Sequence, residues 1–160
     1  DWEVAHRGVT RLEVVDSMHT RKARMFELSD GFVAFPGGFG TLDEMFEMLT
    51  WRQLGLGKKP CAFLDVNGFW TPLMAMLDTI VRERFLHAEQ RSDLWHGSDI
   101  DTLLDWMRDA LVANGLISPE DLDLIKVVDD PAAAVEAVFD FYQARGFAPT
   151  ASEREQMLYL

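Results

Sequence analysis

An α/β fold built on a parallel, doubly wound sheet is what this sequence predicts, and two observations carry the prediction. Short apolar or β-prone runs alternate along the chain with longer segments whose apolar residues recur at helical spacing. One run, Phe32 to Phe35, is apolar throughout and stops at Pro36-Gly37-Gly38, as a strand buried on both faces does before it hands over to a helix.

Taken in order, Leu12 to Val15 is a short β-prone run, and Met18 and Met25 mark a helix from about Ser17 to Leu28. After the Phe32–Phe35 strand and its glycine turn, Leu42, Met45, Phe46 and Leu49 fall at i, i+3, i+4 and i+7. They predict a helix from about Thr41 that Gly55 and Gly57 stop. Cys61 to Leu64 reads as the next strand, Asn67-Gly68 as a turn, and about Thr71 to Arg84 as a third helix. The segment 85–116 is polar and spotted with aromatics. It reads mostly as extra helix around Ile100 to Asn114 and is expected to be an insertion. Leu124 to Val128 is expected as a fourth strand, with Asp129-Asp130-Pro131 capping a helix of about Ala132 to Arg145. One domain over 1–147 and a polar tail over 148–160 is the expected organisation.

The totals narrow the partners. With 48% hydrophobic residues, 11 Phe and 5 Trp, the 160-residue chain has ample material for one core. A formal charge of −12 argues against nonspecific binding to nucleic acid or an anionic membrane, since both are polyanions, so an anionic ligand needs a local positive site. Cys61 is the only cysteine, which leaves no intrachain disulfide and no cysteine-built metal site and fits a reducing cytoplasm. The sequence has no charged-then-apolar leader and no apolar run near the roughly 20 residues of a membrane span, so a soluble protein is expected. His6, His19, His87 and His96 lack metal-ligand spacing, and no metal is expected.

The strongest chemical signal is Pro36-Gly37-Gly38-Phe39-Gly40-Thr41-Leu42-Asp43-Glu44, a glycine-rich turn between a buried strand and a helix start. Glycines let backbone approach a ligand closely, and the unpaired N–H groups of a helix's first turn make a phosphate site. In parallel α/β sheets that place lies at the carboxyl ends of the strands, where ligands bind. Thr41-x-x-Glu44 equally fits a helix capping box, with no ligand at all. Neither the Walker phosphate loop nor the dinucleotide fingerprint is present. The second signal is Met18-His19-Thr20-Arg21-Lys22-Ala23-Arg24, with three cations in four positions of a strongly acidic chain. A solvated helix face would explain Lys22 and Arg24. Arg21, on a helix that starts at the same sheet edge, could reach the same anion as the glycine turn. Among the tryptophans only Trp51 is expected near a ligand. Cys61, inside an apolar strand, is expected to be a buried, inert thiol.

Together these motifs resemble the LOG, or Lonely Guy, family of cytokinin riboside 5′-monophosphate phosphoribohydrolases, once labelled lysine decarboxylases. The family signature Pro-Gly-Gly-x-Gly-Thr-x-x-Glu matches Pro36 to Glu44, and its upstream Met-His-x-Arg-Lys is similar to Met18 to Lys22. Glu3-Val4-Ala5-His6, Thr50-Trp51-x-Gln53-Leu54-Gly55, Lys59-Pro60 and Asp129-Asp130-Pro131 also look like the family. The resemblance implies a Rossmann-like fold and hydrolysis of a nucleoside 5′-monophosphate to free base and ribose 5-phosphate, with no cofactor. It implies Arg21 and Glu44 as the catalytic pair, with Glu44 facing the anomeric carbon and Arg21 holding the ribose phosphate. Backbone N–H groups of Gly38, Phe39, Gly40 and Thr41 would bind phosphate. Lys22, Gly37, Asp43 and Thr50 complete the expected substrate-binding set. A homodimer or larger homo-oligomer is implied by analogy alone.

The family has an N-terminal portion, with its first strands and another glycine-rich loop, that this sequence is expected to lack. A general nucleosidase of purine or pyrimidine 5′-monophosphates is the close alternative. A noncatalytic nucleotide sensor is the alternative from another class, and an intact Arg21 and Glu44 argue against it, because phosphate binding does not require the carboxylate and a nearby negative charge opposes it.

Overall fold

In the computed structural model, residues 11–146 are described, and the chain divides into two compact units between Ile117 and Ser118. The first unit runs α1 (Met18–Leu28), β1 (Phe32–Ala34), α2 (Phe39–Gln53), β2 (Cys61–Leu64), α3 (Thr71–Arg82), α4 (Ala88–Ser92), β3 (Trp95–Gly97) and α5 (Ile100–Met107). A π-helical stretch, Arg108–Val112, extends α5. The strands form one sheet in the order β1-β2-β3, parallel throughout, with Phe32 beside Cys61 and Ala62 beside Trp95. The fold is therefore α/β with a parallel sheet.

Every residue of the central strand β2 is buried, as a parallel strand covered on both faces requires. Its side chains alternate between two cores. Cys61 and Phe63 pack with Met45 and Met48 of α2, Met74 and Leu77 of α3, and Leu94. Ala62 and Leu64 pack on the opposite face with Leu103 of α5, backed by Val33, Trp95 and Trp106. Phe63 is 1% exposed, and burying a side chain of that size stabilises the fold by about 2–3 kcal/mol.

At the end of β2 the chain turns sharply. Asn67 and Gly68 both take positive φ, 54° and 74°, as the asparagine–glycine pair predicts. Asp65, 4% exposed, ties the turn together: its carboxylate accepts from the Trp70 N–H and from Thr71 Oγ1 at 2.7 Å.

Three sequence expectations change here. Leu12–Val15 is not a strand: the run has no ladder, and Leu12 and Val14 are 48% and 83% exposed. Glu13 instead pairs with Arg24 of α1. Within 85–116, Trp95–Gly97 is a strand although that segment reads mostly as helix, because pairing with β2 supplies what three residues of weak pattern do not. In the second unit, which contains α6 (Pro119–Leu122) and α7 (Pro131–Gln143), Leu124–Val128 is irregular rather than a strand. No strand among the described residues pairs with it. The capping expected of Asp130 is present, its side chain accepting from the Ala133 N–H at 2.8 Å with Pro131 opening α7. The family-like Glu3–His6 and the tail 148–160 lie outside the described residues.

Candidate active site

The site forms where α1 and the start of α2 meet the carboxyl end of β1. Ser17 caps α1 by accepting from the Thr20 N–H at 3.1 Å, so Arg21 and Lys22 fall in the second turn. β1 ends at Ala34, and Gly38 is the N-cap of α2, with Phe39, Gly40 and Thr41 as its first three residues. Gly38 has no side-chain cap to offer, so Thr41 stands inside the helix. The capping-box reading of Thr41 and Glu44 is thereby corrected, since the helix starts two residues earlier than the apolar spacing indicates. The first-turn N–H groups of Phe39, Gly40 and Thr41 lack intrahelical partners by construction and carry the positive end of the helix dipole. Positions 38 and 40 have open space where a Cβ would stand. Gly37 differs: a Cβ there would overlap the Thr41 side chain, coming within 2.9 Å of Thr41 Cβ. The turn closes onto the helix only because that position is glycine.

Arg21 and Glu44, 23 residues apart in sequence, come together across this turn, Arg21 Nη2 donating to Glu44 Oε1 at 3.1 Å. Their side chains are 39% and 37% exposed, accessible to a ligand without being fully solvated. Beside them lies a cavity of about 180 Å³ walled by Phe32, Val33, Ala34, Met45 and Met48 and reached by Lys22, Thr41 and Glu44. An apolar pocket lined also by the Glu44 carboxylate, Lys22 and Thr41, next to the Arg21 guanidinium that Glu44 holds and to the first turn of α2, suits a ligand that is part apolar ring and part anion.

The neighbouring cations have other duties. Arg24 donates to Glu13 at 2.7 Å and to Glu27 at 3.0 Å, and these contacts raise its already high pKa. Lys22 is not on a solvated face, since its side chain is 13% exposed and its ammonium contacts Asp43 and Glu47 of α2. Thr50 donates to the Phe46 carbonyl at 2.7 Å and lines a different cavity, of about 200 Å³, with Leu49, Leu77 and Leu94. Trp51 packs edge-on against Phe26 at 5.0 Å in the core, which corrects its expected place near a ligand. Cys61 is buried as expected, and burial pushes its thiol pKa up to about 11.

Three residues of this region left no readable signal. Glu47 stands one turn beyond Glu44 and faces His19 as well as Lys22. Asp65, just after β2, and His96, in the middle of β3, share a hydrogen bond of 2.9 Å. Burial alone would raise the Asp65 pKa. The donors Thr71, Trp70 and His96 outweigh it and hold the carboxyl below its usual range. Among the described residues no group of histidine, cysteine and acidic side chains is arranged to hold a metal ion.

The family model described as "Possible lysine decarboxylase" matches residues 1–100, well over half of the chain. The chain belongs to this family, the LOG family. Among curated LOG-family relatives, the cytokinin riboside 5′-monophosphate phosphoribohydrolase of Rhodococcoides fascians is 46% identical over 99 residues, covering 62% of this chain and 50% of the relative. The enzyme of that name called LOG in Oryza sativa subsp. japonica is 44% identical over 89 residues, 56% of this chain and 37% of the relative. LOG1 of Arabidopsis thaliana is 42% identical over 89 residues, 56% of this chain and 42% of the relative. The chain thus spans half or less of the length of these three relatives.

Proposed function

We propose that the protein hydrolyses the N-glycosidic bond of a nucleoside 5′-monophosphate, releasing free base and ribose 5-phosphate. The observation that carries this reading is the Arg21–Glu44 contact at 3.1 Å beside the open N-terminus of α2. In this reading the N–H groups of Phe39, Gly40 and Thr41 receive the 5′-phosphate, and Arg21 adds a charge-assisted contact that fixes the sugar. Glu44 then lies near the anomeric carbon. As the bond to the base breaks, positive charge spreads over C1′ and the ring oxygen, and a carboxylate there stabilises it. Glu44 takes a proton from water as the water oxygen bonds to C1′; the base leaves with the bonding pair and takes up a proton from solvent, and Glu44 returns its proton to solvent, so that one water is consumed. Gly37 and Asp43 shape the turn, and the apolar cavity takes the less polar part of the substrate.

A cytokinin riboside 5′-monophosphate is the substrate we favour, by likeness to the named relatives. The same reading carries a homo-oligomer and a cytoplasmic location, to be checked by light scattering and by fractionation. Among the described residues no helix is long and apolar enough to cross a membrane.

The test is release of base and ribose 5-phosphate from AMP and from N6-isopentenyl-AMP by full-length wild type, Glu44→Gln and Arg21→Ala. Turnover in wild type and a fall of about 10³-fold in each variant are expected, the scale of a lost acid–base group or transition-state donor. A wild-type protein that binds both nucleotides and releases nothing sinks the hydrolase reading in favour of a sensor. Equal rates on both substrates would point to general nucleotide salvage.

A further inference from the structure

Four ion-pair contacts join α1 to α2 at the site, Arg21–Glu44, Lys22–Asp43, Lys22–Glu47 and His19–Glu47, and they differ in exposure. Arg21 and Glu44 are 39% and 37% exposed, whereas their neighbours Lys22, the next residue of α1, and Glu47, one turn further along α2, are 13% and 17% exposed. The Lys22 ammonium donates to both Asp43 carboxylate oxygens, at 3.1 and 3.3 Å, and lies 2.5 Å from Glu47 Oε2. The carboxylates of Glu47 and then Asp43 raise the Lys22 pKa above its ordinary value. An ammonium has only three donors. With two carboxylates around it, Lys22 is committed to α2 and has little left for a phosphate.

Glu44 and Glu47 stand three residues apart and so share a face of α2, while Arg21 and Lys22 are consecutive on α1. Lys22 therefore sets the rotation of α1 at the point from which Arg21 projects. His19 adds a second contact from α1 to the same carboxylate, with Nδ1 3.7 Å from Glu47 Oε1. Fully exposed ion pairs contribute little, but this one is mostly shielded, and removing one partner leaves the other without compensation.

We propose that Glu47 is a positioning residue of the site, holding Lys22 against α2 so that Arg21 meets Glu44. The inference rests on the nucleotide reading above. It excludes Lys22 as a main phosphate ligand and gives Glu47 a part that its sequence position does not reveal.

The test is a double-mutant cycle read by AMP affinity, measured calorimetrically on full-length wild type, Glu47→Gln, Arg21→Ala and the double variant. Glu47→Gln should weaken AMP binding about tenfold in wild type and less than about twofold once Arg21 is gone, because a misplaced group costs affinity only while it is there. Unchanged affinity in Glu47→Gln overturns the proposal, as does equal weakening in both backgrounds, which marks general loosening. If Glu47→Gln loses its cooperative melt, Glu47→Asp replaces it, keeping the charge and drawing it back one methylene, with the same pattern expected. Wild type that binds neither AMP nor N6-isopentenyl-AMP overturns the nucleotide reading and this inference together, an outcome distinct from the other two; if it binds only the latter, the cycle is read with that nucleotide.

Discussion

Cys61–Leu64 and Leu124–Val128 are short apolar runs of similar length, one in each compact unit, and they meet opposite fates. The first is the central strand, with all four residues buried. The second is irregular, with Leu124, Ile125, Val127 and Val128 exposed by 61%, 40%, 51% and 38%. Composition separates them only by Lys126 in the middle of the second run; the larger difference lies in neighbours. β2 has a parallel partner on each side and helices over each face, while Leu124–Val128 has no strand partner among the described residues. An apolar run becomes a strand when a ladder and a covering layer are both supplied.

Three substitutions break or sharpen this comparison. Phe63→Ala should cost about 3–5 kcal/mol of unfolding free energy, measured by urea denaturation, because it opens a cavity where α2 and α3 close over the sheet. A cost below about 1 kcal/mol would mean that β2 is not the packed centre. Asp65→Asn should cost about 1–3 kcal/mol, since it weakens a buried acceptor of three donors. It should also flatten the acid limb of stability. The folded Asp65 pKa is lowered, so its contribution is present above the ordinary carboxylate range and disappears as pH falls through the lowered value. A variant with the wild-type acid profile would show that another carboxyl governs that limb. Leu124→Ser should lie within about 0.5 kcal/mol of wild type, as surface changes do. A loss above about 2 kcal/mol would show this run buried in the native protein and erase the contrast.

The sequence was most readable where local chemistry suffices. The Phe32–Ala34 strand, the helix with Met45 and Met48 on its buried face, and the Asp130 cap each follow from a few adjacent residues. Of the site, the nearness of Arg21 to the glycine turn was legible because strand–turn–helix order places both at one sheet edge, while its pairing with Glu44 came from the family resemblance. What stayed hidden depends on distant pairing. Trp95-His96-Gly97 has no apolar run, and β2 makes it a strand. Glu47 reads as one more acidic residue on a helix until Lys22 comes to it from α1. Thr41 looks like a cap because the apolar repeat begins at Leu42, whereas α2 recruits Phe39, 91% exposed, and Gly40, neither of which contributes to that repeat.

Cys61 opens the central strand with a thiol 1% exposed and a pKa raised to about 11. Reaction with an alkylating reagent needs a thiolate in contact with solvent, so in the closed sheet this sulfur is silent. It becomes a built-in clock. Because it is the only cysteine in the sequence, its labelling rate times the opening of β2 itself, and a ligand that braces the neighbouring β1 end would be read as a slower tick.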